Sequence, residues 1–330
     1  MHREITVKEL NWDNQEEWDR FVDASYNGSV FHKMKFLSYH PKGRFDYTFL
    51  GFYTKKGALA AVLPCVVKEG VLRSPAGASF GGIVLKQISF ITVYNVVQNF
   101  LSWSSKKGIR QIYFTHAPLI YNDKFAQDLD FVLHYCGFEN RCNLFSSILD
   151  LFWFAEDDPI KNLSSPGQRA IRKSYKEDVK IVETDDLEEF YPILVKNKAK
   201  FGIKPAHSLE ELNKLRALFP GYFKLFAAYY KEKMVTGVFS FHCNQRVLLT
   251  FYIASLPEYQ HIRPVNRALY DVAVWACKNG YKYLDLGVSM NTESNNPMEP
   301  AWSLISFKEF IGSRGFLRPY YEWINPGYIE

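Results

Sequence analysis

Val265-Asn-Arg-Ala-Leu-Tyr-Asp-Val-Ala-Val-Trp275-Ala-Cys-Lys-Asn-Gly280-Tyr-Lys-Tyr-Leu-Asp-Leu286 reads as a helix over Val265 to Lys278 followed, after a glycine stop, by a strand over Lys282 to Val288. The same sentence is written earlier in the chain. Val93-Tyr-Asn-Val-Val-Gln-Asn-Phe-Leu-Ser-Trp103-Ser-Ser-Lys-Lys-Gly108-Ile-Arg-Gln-Ile-Tyr-Phe114 superimposes on it at an offset of 172, Trp over Trp and Gly over Gly. A second match, Phe49-Leu-Gly-Phe-Tyr-Thr-Lys-Lys-Gly-Ala-Leu59 over Leu225-Phe-Ala-Ala-Tyr-Tyr-Lys-Glu-Lys-Met-Val235, lies at an offset of 176. Two matches in the same order at nearly the same spacing point to a tandem duplication of one α/β unit.

Outward from the repeats, the first half begins with a strand, Ile5 to Leu10, and a helix, Asn14 to Ala24, with Trp18, Phe21 and Val22 on one side. A short helix over Phe31 to His40 carries Lys33 and Lys35 and stops at Pro41. A hairpin follows, Tyr47 to Thr54 and Ala58 to Val67, turning at Gly57. Ser74 to Gly82 is glycine-rich, but no helix opens behind it with a phosphate-loop pattern, so it reads as a turn. Then come a helix over Phe90 to Lys107 capped by Gly108, a strand over Ile109 to His116, a helix over Lys124 to Cys136 and a strand over Phe145 to Leu151.

The acidic, proline-containing connection from Phe152 to Pro159 marks the boundary, giving domains 1–151 and 152–330. The second half opens with a helix, Ser165 to Lys176, that puts Arg169, Arg172, Lys173 and Lys176 on one side. A strand (Val179 to Glu183), a helix (Leu187 to Phe201) and a helix over Ser208 to Leu218 with the capping box Ser208-Leu-Glu-Glu211 follow. The hairpin Phe223 to Tyr230 and Val235 to Asn244 turns across Lys231-Glu-Lys, and Arg246 to Ala254 adds a strand. After the quoted repeat, the polar loop Asn291 to Pro300, in which nothing forces a fixed conformation, leads to a short helix bearing Phe307-Lys308-Glu309.

Composition sets limits. With 330 residues, 47% hydrophobic and 23% charged, the chain is of ordinary globular composition and long enough for two domains. Its net charge of +5 is too mild to indicate DNA binding, and no run approaches the 18 apolar residues of a membrane span. Five cysteines without CxxC spacing fit reduced thiols and a cytoplasmic location, and the histidines never fall at a metal-binding spacing. Ser79, Ser289 and Ser306 lack a visible His and Asp arrangement, which argues against a serine hydrolase.

Hairpin strands that later alternate with helices imply an α/β (α+β) fold, a mixed sheet flanked by helices in each half. That order resembles the GNAT acyltransferase fold, in which the donor's acyl arm lies where two strands part, at the start of the next helix. Two such units in tandem resemble the FemAB-like family of aminoacyltransferases. The resemblance rests on Arg169-Ala-Ile-Arg172-Lys173, on Tyr252, on Gly280-Tyr-Lys-Tyr-Leu-Asp285-Leu-Gly, and on Leu304-Ile-Ser-Phe307-Lys308-Glu309-Phe-Ile-Gly312. It implies transfer of an aminoacyl or acyl group to an amine, with aminoacyl-tRNA or acyl-CoA as co-substrate, no tightly bound cofactor, and a small-molecule or cell-wall-precursor acceptor. Lys308 falls on the lysine that stabilises the developing oxyanion, with Asp285 and Tyr252 as the other catalytic candidates. Arg263, Asn266, Phe307, Arg172 and Lys200 are candidates for donor or acceptor binding, as are Lys33 and Lys35 on the first domain.

Two departures stand out. The loop Arg263-Pro-Val-Asn266 lacks the glycines with which GNAT proteins hold coenzyme A, and Ala199-Lys200-Phe201-Gly202 replaces a segment where relatives often carry arginine. An acyl-CoA donor and a non-catalytic ligand-binding role therefore stand beside aminoacyl transfer as alternatives.

Overall fold

The structure is a computed structural model and describes residues 5–200 and 202–328. The chain forms two compact units, one built from residues up to Leu144 together with the segment from Leu317 on, the other from Phe145–Phe316.

The first unit contains β1 (Ile5–Leu10), α1 (Gln15–Asp23), α2 (Met34–Leu37), β2 (Tyr47–Thr54), β3 (Leu59–Lys68), β4 (Val71–Ser74), β5 (Val84–Leu85), α3 (Phe90–Lys106), β6 (Gln111–Thr115), α4 (Asp128–Tyr135) and the start of β7 (Glu139–Asp150). The second contains the end of β7, then α5 (Ser165–Lys176), β8 (Lys180–Thr184), α6 (Leu187–Ala199), α7 (Leu209–Leu218), β9 (Phe223–Tyr230), β10 (Lys233–His242), β11 (Val247–Ser255), α8 (Pro264–Lys278), β12 (Tyr283–Val288), α9 (Trp302–Glu309) and the start of β13 (Arg314–Ile324).

The duplication is visible in the strand order. The first unit runs β1-β2-β3-β4-β6 and the second β8-β9-β10-β11-β12. Each is antiparallel up to one parallel step, β4 with β6 and β11 with β12, and the helix that crosses over that step is α3 or α8, the two copies of the quoted repeat. The sixth strand is exchanged. β7, last of the first half, pairs with β12 through Tyr283↔Asp150 and Asp285↔Ile148, while β13 pairs with β6 through Tyr320↔Thr115 and Tyr321↔Phe114. A boundary at residue 151 with the whole C-terminus in the second domain is thus not the division observed. The break falls at Leu144, and the tail returns to the first unit because Tyr321 and Trp323 belong to that unit's core beside Phe100, Ile112 and Phe114. In the second unit α8 buries Leu269, Val272, Ala273 and Ala276 against Phe226, Val238, Leu248 and Leu284.

Several boundaries differ from expectation for local reasons. The β9–β10 turn is only Lys231 and Glu232, both left-handed (φ 47° and 63°), the geometry that matches the twist of a hairpin. β10 therefore starts at Lys233, and a register shift between Met234 and Thr236 absorbs the odd residue. The expected helix over Phe31 to His40 shrinks to α2, since Lys33 is extended and the Trp18 indole N–H takes the His32 carbonyl. The helix expected to reach Phe201 is described as far as Ala199, and Phe201 lies outside the described residues. The loop from Asn291 to Pro300 is pinned after all: Met290 and Pro300 form a β-bridge, and the side chains of Asn291, Ser294 and Asn296 each accept a backbone N–H two residues on. Among the described residues no helix is long and apolar enough to cross a membrane.

The capping box at the start of α7 is formed, with Glu211 N–H donating to Ser208 Oγ at 3.1 Å and Ser208 N–H to Glu211 Oε2 at 2.8 Å. Ser208→Ala is expected to lower unfolding stability by about 1 kcal/mol in urea titration, with an unchanged m-value.

Candidate functional site

The site begins where a pairing stops. β11 and β12 pair only at Val247↔Tyr283, Leu248↔Leu284 and Leu249↔Asp285, although β11 continues to Ser255 and β12 to Val288. A bulge that leaves Phe251 without a partner on β10 bends β11 just beyond this point. Asp285, fully buried, is thus the last residue of β12 to pair with β11, and Tyr252 lies on β11 past the parting.

Asp285 Oδ1 accepts from Ser146 Oγ at 2.9 Å and from the Gly287 N–H at 2.7 Å. Lys308 closes the same cluster from α9. Its ammonium donates to Gly287 O at 2.9 Å, Ser289 Oγ at 2.8 Å and Val288 O at 3.4 Å, and Ser289 Oγ also meets Ser147 Oγ at 2.9 Å. Lys308 is 3% exposed. Burial drives its pKa down to about 8, while the negative charge of Asp285 works in the opposite direction. α9 is inverted relative to an ordinary surface helix: its lysine is buried, whereas Trp302, Leu304 and Phe310 are exposed.

On the far side of α9, a cavity of about 310 Å³ is lined by Arg169 and Lys173 of α5, Arg263 and Asn266 at the start of α8, and Phe307 and Phe310. Arg263 takes the left-handed conformation (φ 58°) that a glycine usually supplies, and Pro264 at the first helical position has no N–H to offer. Cationic side chains, rather than the backbone amides of a glycine-rich loop, therefore line the cavity at the start of α8. The wall between α5 and α9 depends on Gly167, where a Cβ would lie 1.9 Å from Phe310 O, and on Ser164 Oγ, which donates to that carbonyl at 3.1 Å.

Arg263, Asn266 and Phe307 are thus brought together, and Asp285 and Lys308 form the adjoining cluster. Tyr252 is held separately: its hydroxyl accepts the His207 N–H at 3.2 Å and pairs with His207 Nδ1 at 2.8 Å, and burial raises its pKa. Arg172 is exposed on α5 and does not line the cavity, and Lys200 is exposed at the end of α6. In the first unit Lys33 is buried and ion-paired with Asp23 at 2.7 Å, while Lys35 offers its backbone N–H to Asp19 at 3.3 Å. His207, Ser146 and Ser147 escaped sequence reasoning because nothing local distinguishes them. Arg169 and Lys173 carried a signal, a basic helix side, that did not reveal which of its members face inward.

The equivalent gap in the first unit is closed by its own chain. β4 pairs with β6 along its whole length, and where β4 ends the Gly81 N–H continues the ladder onto Thr115 O at 2.9 Å. Ser74 Oγ donates to Pro64 O and accepts from Gly82 N–H at 2.9 Å, Phe80 packs on Phe31 and Tyr121, and the Arg318 guanidinium donates to Ser79 O. Gly82 (φ 96°) must be glycine, since a Cβ there would also sit 2.4 Å from His116 Nε2.

Comparison with known proteins fits this asymmetry. Residues 167–294 match the model of the acetyltransferase (GNAT) domain family, so the second unit carries a GNAT domain. The chain as a whole has a tandem GNAT fold. It is similar to the structure of FemX (TM-score 0.72, 11% identity, 98% of each chain covered), to L-PGS from Bacillus licheniformis (0.57, 14%, 97% of this chain and 94% of that one), and to a tandem GNAT protein from the clavulanic acid biosynthesis pathway (0.53, 11%, 97% and 98%). No curated protein matches the sequence.

Because the folded-state pKa of Lys308 lies below its value in the unfolded chain, the unfolded state holds more protons between the two, and stability rises with pH across that window. Between about pH 8 and pH 10.5, the wild type should gain up to roughly 3 kcal/mol relative to Lys308→Met. Parallel denaturation curves across this range measure it, and a constant difference would mean that Lys308 titrates normally.

Proposed function

We propose that the second unit transfers an aminoacyl or acyl group from a phosphate-bearing donor to an amine. The observation that carries this is the buried Lys308 ammonium at the parting of β11 and β12, with a cation-lined cavity on the other side of the same helix. In such a transfer the neutral amine nitrogen attacks the donor carbonyl carbon, the carbonyl oxygen becomes an oxyanion, and its collapse breaks the bond to the leaving oxygen or sulfur, which takes up the proton the amine gives up.

Each residue has a part in that sequence. At neutral pH Lys308 is mostly protonated, and the N–H that makes its long 3.4 Å contact to Val288 O is the one freed most cheaply for a developing oxyanion. Asp285, anchored by Ser146 and the Gly287 N–H, keeps that ammonium charged. Tyr252, whose raised pKa keeps it protonated, relays a proton to the leaving group as it takes one up from the attacking amine, with His207 fixing its hydroxyl. Arg169, Lys173 and Arg263 hold the donor's phosphate, and Phe307 and Phe310 pack against its less polar part.

Aminoacyl-tRNA is the donor we favour. Arg172 and Lys176, exposed on α5, extend positive charge beyond the cavity, which suits a polyanion longer than coenzyme A. The five cysteines are free, in keeping with a reaction in the cytoplasm, and the acceptor is an amine of a small molecule or cell-wall precursor. The GNAT family match favours a second reading with acyl-CoA as donor.

Titrating the protein with charged tRNA and with acetyl-CoA separates the two readings. Charged tRNA should raise the Tm at low salt, its affinity should fall by orders of magnitude between about 50 and 200 mM salt, and Arg263→Glu should weaken binding at least about tenfold. A shift with acetyl-CoA alone would select the second reading, and binding of either donor without turnover would remove catalysis altogether.

A further inference from the structure

Two serines from strands 142 positions apart stand behind Lys308. Its ammonium donates to Ser289 Oγ at 2.8 Å, and Ser289 Oγ lies 2.9 Å from Ser147 Oγ on β7. All three residues are buried, Ser147 at 1% exposure, Ser289 at 0% and Lys308 at 3%. Among the described residues these are the only side-chain hydrogen bonds that the two hydroxyls make.

A bulge in β12 creates the contact. Asp285 pairs with Ile148 but Val288 pairs with Ser146, so β12 carries one residue more than β7 over this stretch, and Gly287 takes the left-handed conformation (φ 76°). Side chains alternate between the faces of a strand, so one extra residue moves everything beyond it to the opposite face. Asp285 and Ser146 therefore meet on one face, and Ser289 and Ser147 on the other, where Lys308 reaches them from α9. An unbulged strand would place Ser289 on the side of Asp285. The Ser289 backbone is pinned in this position, its N–H donating to Phe145 O at 2.8 Å and its carbonyl accepting the Ala301 N–H at 2.9 Å.

We propose that Ser289, backed by Ser147, is a positioning residue that fixes the rotation of the Lys308 ammonium and so leaves one weakly held N–H for the oxyanion. An ammonium has three protons and no lone pair, so it can only donate. With one proton on Gly287 O and one on Ser289 Oγ the rotor is set, and the third has only the 3.4 Å contact to Val288 O. The positive charge turns the proton of Ser289 away from itself and onto Ser147 Oγ, and that onward bond makes Ser289 Oγ a stronger acceptor. Asp285 is the charged group whose field acts on the ammonium. Arg169, Lys173 and Arg263 lie across α9, and Glu309 is exposed on it. The catalytic consequence rests on the acyl-transfer reading, whereas the serine chain does not.

NMR titration of the full chain labelled with 13C at lysine Cε tests the chain without turnover, the Lys308 signal being assigned by its loss in Lys308→Met. The wild-type pKa is expected at about 8. Ser289→Ala removes an acceptor of the charged form and should lower it by about one unit. Ser147→Ala should lower it by less, and should change nothing further in the Ser289→Ala background. With the donor that turns over, Ser289→Ala should cut kcat roughly tenfold at unchanged donor KM, a smaller loss than deleting an oxyanion donor outright. An unchanged Lys308 pKa or an unchanged kcat in Ser289→Ala overturns the proposal, as does a Ser147→Ala effect that persists undiminished without Ser289. Should Ser289→Ala fail to fold, Ser147→Ala decides alone, and no fall in the Lys308 pKa overturns the proposal. The expected pKa shifts in a protein that turns over neither donor would uphold the serine chain and remove the acyl-transfer reading instead.

Discussion

A lysine ammonium taken out of water must find acceptors for its protons, and the end of β12 supplies them. Gly287 O, Val288 O and Ser289 Oγ receive the three donors of Lys308, and the charge of Asp285 on the same strand answers its own. Strand β12 can present these oxygens because its pairing with β11 has already ended at Asp285, so that side of its last residues is open. The same parting leaves Tyr252 on β11 without a strand neighbour on that side, where His207 takes over. One interrupted pairing thus produces both the acceptors that trap the lysine and the space beside it.

The lysine also explains an otherwise unreasonable helix. α9 exposes Trp302, Leu304 and Phe310 while burying Lys308, a distribution that apolar burial alone would reverse. Its position is held instead by polar contacts: the ammonium on one side, and on the other Ser164 and the glycine at 167, which admit the Phe310 carbonyl against α5. With α9 so placed, Phe307 and Phe310 face the cations of α5 and the start of α8, and the cavity follows.

The two units show how a duplicated fold loses its symmetry. Both copies have the parallel step and the crossing helix, but in the first the segment from Ser74 to Gly82 runs back into the gap and continues the ladder through Gly81. Three glycines, a serine hydroxyl and Arg318 make that possible. The second copy has no such segment between β11 and α8, only the short turn of Pro257–Ile262, and its gap remains available. That only residues 167–294 match the GNAT model accords with this difference.

Periodicity and repetition along the chain were enough to place most of the elements, the duplication and the mixed sheets, because helix and strand formation depend on the spacing of neighbouring residues; the strands β4 and β13 were not read from it. The helix over Ser165–Lys176 and the strand over Ile5–Leu10 were legible to the residue, as was the capping box at Ser208. Asp285 stood out by its place in the repeat, and Lys308 and Arg263 by family resemblance. Tertiary structure alone decided that Lys308 is buried, that Arg169 and Lys173 face the cavity while Arg172 does not, that Tyr252 answers to His207, and that β7 and β13 exchange units. Those outcomes turn on contacts between residues far apart in the chain, some of them more than a hundred positions, as Ser146 is from Asp285. No local pattern encodes which distant oxygen will accept a given proton.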